Sequence, residues 1–556
     1  MSKKVYIPIL IAIIILQILV GVYAANKKEY MHMDEAYSYG LMNYDKISIT
    51  DDEDFMAGWH DKQYFLDYLE VNSDEVTDLM PVYENQKNDV HPPLFYLLLR
   101  IAATFTVDNF TLWTGFIMNM IILAIASVTL FFIAKKLFKS PVYALLVTAV
   151  YATSMALMET TIYIRMYALS TLSILLFTYI TMKIEENQKD GKIGLKYLIL
   201  TSLVLLMGGL THYYFFIYVF GVYVYLLIKH IRRKEYKFLV KYTVTLAISA
   251  ALYLLIFPYA INHIFFGYRG IDATEPVTLQ NLIFGIGSYL NEINKAIFNY
   301  GLPIYAIAVL VIFAVFKIRE KRVRSKKNNA VKSESQELMQ EENAIKADKI
   351  RGVAQKNNQD EKITEKKNSK TEIEERKNRN QFILIILIPT LIYFIVVLIQ
   401  SPYKELRYIM PICPEIVLLT IYVTKLALGK YIKEKYLCTG LAVVFAVIVL
   451  TPGLTDNKLN FAYEYRKKEL VETVEKNNTP IVCVFDPNAN RFMDNMYLYT
   501  KADRTYIMNV KDYSVEAVRE VLKNENVENG VTLVIDNQPK YLSYEEYENF
   551  VLGTGL

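Results

Sequence analysis

Cysteine is scarce in this chain: three occur, Cys413, Cys438 and Cys483, the first two in or beside apolar runs. That excludes a disulfide framework and leaves no CxxC pair for a metal. No glycine-rich nucleotide-binding loop is evident. Net charge is also small, +4 from 61 basic and 57 acidic residues. The bases collect in short loops between apolar runs, which is a signal of topology and makes no case for nucleic acid. No internal repeat is visible, and the polar groups gather towards one face instead of the middle of the apolar runs. A transporter or lipid flippase should show the opposite on both counts.

Apolar sequence is abundant. Hydrophobic residues make up 53% of the 556, mean hydropathy is +0.20, and several runs approach 20 residues, so the chain reads as an all-α polytopic membrane protein with no single soluble core. Lys3 and Lys4 precede the first run, Val5 to Ala25. The run is long and Ala24-Ala25-Asn26 is a weak cleavage site, so it reads as a retained anchor. Further spans are expected near 111–134, 141–158, 166–182, 197–211, 213–228, 240–260, 299–316, 381–399, 408–427 and 437–453, about eleven crossings in all. Lysines and arginines fill alternate connections, among them Lys135, Lys136 and Lys139, then Arg232, Arg233, Lys234 and Lys237. The amino terminus is therefore expected in the cytoplasm and the carboxyl-terminal segment outside, in the cell membrane.

Four regions follow. Residues 1–317 form a transmembrane region with a large, acid-rich first outer loop, 26–110. Residues 318–380 are a charged, flexible cytoplasmic loop with too little apolar surface to fold. Residues 381–454 hold the last spans. Residues 455–556 form a small extracytoplasmic α/β domain, with strands expected at 480–486 and 531–536 and an amphipathic helix at 514–522. Its acidic strand ends, Asp486 and Asp536, are better read as turn closures than as a site.

The chemistry gathers outside. Met31-His32-Met33-Asp34-Glu35 follows the first span; if it is helical, Asp34 and Glu35 point about 100° apart and only one can face a given substrate atom. The loop includes a short amphipathic helix over 64–69 and ends in Asp89-Val90-His91-Pro92-Pro93, whose prolines hold His91 at the mouth of a helix. Arg165, close to Glu159, His212 and Arg407 each fall at an outer span boundary. Five of six histidines, His32, His60, His91, His212 and His263, lie on that face, and only His230 lies inside. Taken singly such residues are as readily snorkelling anchors. Together they form a concave site with a carboxylate base and several cations, which suits transfer from an anionic leaving group to a hydroxyl or amine. Arginine can bind phosphate oxygens in pairs and stays charged near lipid.

These residues also carry a resemblance. Asp34-Glu35, Asp89-Val90-His91-Pro92-Pro93, Arg165-Met166-Tyr167-Ala168, Thr211-His212-Tyr213-Tyr214 and Arg407-Tyr408 with Pro411 and Pro414, in that order, resemble the integral-membrane GT-C class glycosyltransferases, such as the dolichyl-phosphate-mannose protein mannosyltransferases and the aminoarabinose transferases of lipid A. The resemblance spans roughly the first 430 residues. It implies a polyprenyl-phosphate sugar donor and an extracytoplasmic active site, with Asp34 as general base and Glu35 orienting the acceptor or neighbouring cations. It further implies that Arg165 and Arg407 hold the lipid phosphate, with Arg269 a competitor for that task, and that His91, Tyr167, His212, Tyr213 and Tyr408 line the same cavity. One departure is the apolar stretch Leu94 to Leu99, followed by Arg100, where the protein mannosyltransferases often carry a lysine. The acceptor therefore stays open between a glycolipid, a cell-wall polymer and a protein. No cofactor is clearly called for; His32, Asp34, Glu35 and His91 leave a divalent cation open, but their spacing follows no firm ligand pattern. The competing reading is a non-catalytic receptor or assembly protein working through the outer carboxyl-terminal domain, which would be indifferent to loss of Asp34.

Overall fold

In a computed structural model the chain is described over residues 1–535 apart from 57, 189–191, 268–277, 346–380, 402, 451–458, 460–464, 488–490 and 524–529. Arg269, Asp536 and most of the charged tract lie outside the described residues. Among the described residues eight helices are long and apolar enough to cross a membrane: Lys3–Asn26, Trp113–Phe138, Tyr167–Asn187, Tyr214–Arg232, Tyr236–Ile256, Leu302–Ser325, Gln381–Gln400 and Met410–Leu428. A ninth is broken: Pro141–Ala152 and Met155–Ile162 meet at a 53° bend. The break follows from Ser154, whose hydroxyl accepts from the Leu157 N–H and so starts a new helix instead of continuing the old one.

The expectation of about eleven crossings differs here for a reason of length. Leu195–Gly209 has 15 residues, roughly 22 Å of helix at 1.5 Å per residue, against about 30 Å of hydrocarbon. Glu434–Leu450 has 17 described residues and ends where the described stretch does. Leu302–Ile345 runs as one helix of 44 residues, so the start of the charged tract, expected as a flexible loop, continues the span before it.

Polar contacts tie the spans to one another. Glu415 accepts from the hydroxyls of Tyr218 at 2.6 Å and Thr390 at 2.7 Å, with Thr178 at 3.2 Å, and so joins four spans through one buried carboxyl. Between the first and second spans the chain folds into short helices, Met33–Asn43, Lys62–Leu69, Met80–Asn88 and Leu94–Ala103, the second and fourth where the sequence places them. Arg100 turns away from the site: its guanidinium donates to Asn43 Oδ1 and, at 2.5 Å, to the Glu75 carbonyl, bracing this loop internally.

The carboxyl-terminal region holds a sheet of four strands, β1 (Trp59–Asp61), β2 (Ile481–Phe485), β3 (Arg504–Asn509) and β4 (Thr532–Ile535), in the spatial order β1-β3-β2-β4. β2 and β4 and the helix Val515–Leu522 fall where the sequence puts them, while β3 does not announce itself. β2 pairs in parallel with β3 and β4; β1, from the first loop, pairs antiparallel with β3, Trp59 opposite Tyr506 and Asp61 opposite Arg504. The described strands after residue 455 thus share their sheet with a strand over four hundred residues upstream, and one continuous core runs from the spans through Phe65 to Phe485 and Phe492.

Candidate active site

Asp34 stands in the first turn of Met33–Asn43. His32 caps that helix: its Nδ1 accepts from the Asp34 N–H at 3.1 Å, while Glu35 Oε2 accepts from the His32 N–H at 2.7 Å, a reciprocal capping box with histidine in the usual serine place. The same turn separates the two carboxylates, as the 100° offset requires. Glu35 points inward and is fully buried, accepting from Lys28 Nζ at 2.9 Å and the Ile164 N–H at 2.8 Å. Burial pushes its pKa up and that of Lys28 down. Both Glu35 oxygens are thus engaged within the protein. The expected orienting of an acceptor does not hold, and orienting a neighbouring cation is the part its geometry fits.

Asp34 points the other way. Its Oδ2 accepts from the Tyr163 hydroxyl at 2.5 Å and from Arg407 Nη1, and its side chain is 21% exposed. Oδ1 has no hydrogen-bond partner among the described residues. Burial alone would raise the Asp34 pKa, but the charges of Arg165 and Arg407 and the Tyr163 hydrogen bond outweigh it and hold the carboxyl well below its usual range. Tyr163, whose pKa burial drives well up, stays a neutral donor.

A tight turn, residues 163–165, brings up the partners. The Arg165 N–H closes it onto the Tyr163 carbonyl at 2.8 Å. Asn119 Nδ2 reaches the carbonyls of Thr160, Thr161 and Tyr163, serving the carbonyls that the end of Met155–Ile162 leaves without helical partners. Gly115 makes room: a Cβ there would lie 2.5 Å from Ile164 Cγ2, so no larger residue lets the turn settle on Trp113–Phe138.

Arg165 is buried, and its Nη1 lies within donating distance of the Asp34 carbonyl at 3.1 Å, the Ser38 hydroxyl at 3.2 Å and the Tyr96 hydroxyl at 3.1 Å. Nη2 approaches His91 Nε2 at 3.4 Å, and His91 Nδ1 meets Asp89 Oδ2 at 2.8 Å. Since the arginine can only donate and the carboxylate only accept, His91 carries its proton on Nδ1. Burial lowers the His91 pKa against the pull of Asp89, with Arg165 adding to the lowering. Arg165 therefore spends most of its donors inside the protein, which limits the two-pronged phosphate contact expected of it. Arg407 is freer: Nη1 serves Asp34 and, at 3.1 Å, the Tyr163 oxygen, Nε lies 2.9 Å from a Glu405 oxygen, and Nη2 has no partner among the described residues.

The other expected residues divide. Tyr167 stacks on Tyr163 with centroids 5.8 Å apart, and the His212 ring lies 5.8 Å from Tyr167. Burial, with His91 and Arg165 adding, pushes the His212 pKa down to about 3, so it is neutral. Arg407 lies 5.2 Å from the Tyr408 ring. Tyr213 is not brought to this group. Its hydroxyl meets His263 Nδ1 at 2.7 Å, and His263 Nε2 donates to the Lys87 carbonyl. Tyr163, Lys28 and Asn119 are the residues that motif reading passes over, and of these only Tyr163, two places before Arg165, sits beside a motif residue; Asp89 belongs to the His-Pro-Pro motif but is given no role of its own there. Among the described residues no three His, Cys, Asp or Glu side chains converge as a metal-ligand set, the quartet His32, Asp34, Glu35 and His91 included.

Residues 90–257 match the family model of the dolichyl-phosphate-mannose-protein mannosyltransferases. That stretch holds His91, Arg165, Tyr167 and His212, and it makes the chain similar to the multi-pass membrane glycosyltransferases of the GT-C type. No curated protein matches the chain. Among solved structures, it is similar to the archaeal oligosaccharyltransferase AglB from Archaeoglobus fulgidus in complex with an inhibitory peptide and a dolichol-phosphate, at 10% identity and a TM-score of 0.44 over 92% of this chain and 65% of that one. The apo form of the Archaeoglobus fulgidus oligosaccharyltransferase gives 11% identity and a TM-score of 0.45 over 92% and 66%. The chain thus spans about two thirds of the length of those enzymes.

Proposed function

We propose that this protein is a membrane glycosyltransferase that moves a sugar from a polyprenyl-phosphate donor to an acceptor on the extracytoplasmic face, with Asp34 as general base. The observation that carries the reading is the Asp34 carboxylate itself: kept ionised by two arginines and a tyrosine, with one oxygen unbonded among the described residues, and facing Arg165 and His91 of the stretch that matches the family model. The acceptor hydroxyl gives its proton to Asp34 Oδ1 while its oxygen bonds the anomeric carbon. The bond from that carbon to the phosphate oxygen breaks, its electron pair leaves with the phosphate, and polyprenyl phosphate is released. Arg407 Nη2 is the donor group best placed to meet the growing phosphate charge, and Arg165, braced by Ser38, Tyr96 and His91, supplies fixed positive charge behind Asp34. A donor on an isoprenoid anchor must be met where its headgroup sits, at the membrane surface, and alternating basic loops support an outward-facing site there.

A carboxylate with so low a pKa is a weak base for a free hydroxyl. It suffices where the sugar–phosphate bond breaks early and the attacking hydroxyl becomes acidic as the new bond forms. The direct test incubates the purified protein in nanodiscs with a panel of polyprenyl-phosphate sugars and measures released polyprenyl phosphate. Release with one donor, lost in Asp34→Asn, is expected; no release with any donor would remove the reading.

A further inference from the structure

Helix Met33–Asn43 has only 11 residues, and helices so short hold their shape by what packs on them. One side is held by the bundle, through Arg165 and Tyr96. The other is held by the carboxyl-terminal region. Residues 492–499 pack directly on this helix. Tyr30 and Met31, immediately before the capping histidine and both buried, face Leu470, Val471, Tyr497 and Leu498 across one crevice. Phe492, fully buried, stacks on Tyr499 at 4.5 Å and sets its ring edge-to-face with Phe55 at 4.8 Å, while Phe65 lies 5.4 Å from Tyr499. The antiparallel β1–β3 ladder is extended by the Ile507 N–H on the Gly58 carbonyl and the Lys62 N–H on the Asp503 carbonyl.

We propose that the carboxyl-terminal segment is a positioning clamp for the Asp34 helix, with Phe492 and the β1–β3 ladder as its two grips. The clamp deepens the reading of Asp34 as the base and rests on it, but its mechanical part stands apart from any sugar chemistry. Asp34 is aimed from both sides, and loosening the clamp lets its carboxylate stray from the acceptor while Arg407, seated on another element, keeps the donor phosphate. Proton transfer needs a heavy-atom approach of hydrogen-bond length, so a displacement near 1 Å is felt in turnover before it is felt in binding.

The test compares full-length protein in nanodiscs with its Phe492→Ala variant by hydrogen exchange. The amides of Tyr37 to Asn43 should exchange at least ten-fold faster in the variant, and those of Leu94–Ala103 should be unchanged. Trp59 and Tyr506 face each other as a non-hydrogen-bonded pair, where side chains come closest. A Trp59→Cys/Tyr506→Cys disulfide added to Phe492→Ala should therefore restore slow exchange when oxidised and not when reduced. With the donor found active in the panel, Phe492→Ala should lose ten-fold or more in kcat with KM for the donor within two-fold, again recovered by the disulfide. Unchanged exchange in Tyr37 to Asn43 would overturn the clamp, as would equal loss of protection in Leu94–Ala103 or a rise in donor KM matching the fall in kcat. If Phe492→Ala does not accumulate, Phe492→Leu carries the same comparisons. The exchange arm uses no sugar donor, so the clamp can fail while the proposed chemistry stands, and the reverse.

Discussion

Replacing Glu35 and Lys28 singly and together separates a structural carboxylate from a chemical one. Both side chains are completely enclosed, and burial has driven their pKa values in the directions that disfavour charge, Glu35 up and Lys28 down. Such a pair gives little net stability, yet breaking it strands the surviving charge, at about 3–5 kcal/mol. Glu35→Gln keeps an oxygen for the His32 or Ile164 N–H but takes from Lys28 the stronger of the two carboxylate charges that act on it, Glu159 being the other. A lysine with a lowered folded pKa binds its proton less well folded than unfolded, so the variant should lose further stability as pH falls from about 10 towards the folded pKa, at up to about 1.4 kcal/mol per unit. Lys28→Met leaves Glu35 alone, and its folded pKa rises further. The neutral acid is then favoured in the fold, so stability is greatest below about pH 4 and is lost as pH climbs towards the folded value, with the same limiting slope. The two single variants should therefore show opposite pH slopes between pH 5 and 9, and Lys28→Met/Glu35→Gln, with both charges of the pair removed and only Glu159 left nearby, a flatter profile and a smaller loss than the sum of the singles. Unfolding midpoints of detergent-solubilised protein across that range decide it. Parallel slopes, or a double variant whose loss is the sum of the singles, would refute the argument that these side chains form an enclosed pair and return Glu35 to the catalytic candidates.

The remaining predictions concern the open side of the site. Asp34→Asn should lower turnover by about 10² to 10⁴, the usual worth of a positioned base, with donor affinity changed far less, and near-normal turnover would move the base to His91. Because the Asp34 pKa is held down, kcat/KM should stay flat as pH falls from 7 to about 5, and the stability Asp34 contributes, present above its unfolded pKa near 4, should fade only below it; an acid limb near 6 that vanishes in Asp34→Asn would contradict this. Arg407→Lys should weaken donor binding about ten-fold with folding intact, whereas Arg165→Lys, which loses bonds to Ser38 and Tyr96, should cost about 2 kcal/mol or more of stability; titration with donor and thermal unfolding of both variants separate the roles. Cysteine labelling of intact cells at Lys511→Cys but not at Ser335→Cys is expected from the alternating basic loops, and the reverse pattern would invert the topology.

How much of the fold is legible in the sequence depends on the kind of signal involved. Long apolar helices are read well because one continuous run records them, and Lys3–Asn26, Trp113–Phe138 and Gln381–Gln400 fall within a few residues of expectation. A span is less legible where a side chain interrupts it. Ser154 ends one helix and caps the next through a single hydroxyl, and nothing in the hydropathy of 141–158 marks that point. The sheet shows the limit most plainly. β2 and β4 are apolar runs and announce themselves, but Trp59-His60-Asp61 is three residues in an acid-rich loop, and its strand exists only because the edge of Arg504–Asn509 lies open to it. No local pattern encodes a partner so far away.

The site divides along the same line. Charged residues at span boundaries point to where chemistry can gather, and His91, Arg165, Tyr167, His212, Arg407 and Tyr408 do come together around Asp34 or its partners. What the sequence leaves open is the allotment of each hydrogen bond. Arg165 and Arg407 look alike as letters at outer boundaries, yet one is enclosed by Ser38, Tyr96 and His91 and the other keeps Nη2 without a partner among the described residues. Asp34 and Glu35 are adjacent, and the helical turn alone sends one to the core and one to the opening. Tyr213 and Tyr214 illustrate the same geometry in reverse: the Tyr213 hydroxyl is taken by His263, while the Tyr214 N–H donates to His212 Nδ1 and the Tyr214 ring lies 6.2 Å from Tyr408. A residue type at a boundary therefore establishes that a group is available, and the angular offset of neighbouring positions, with the partners it selects, decides whether that group faces substrate or holds the protein together.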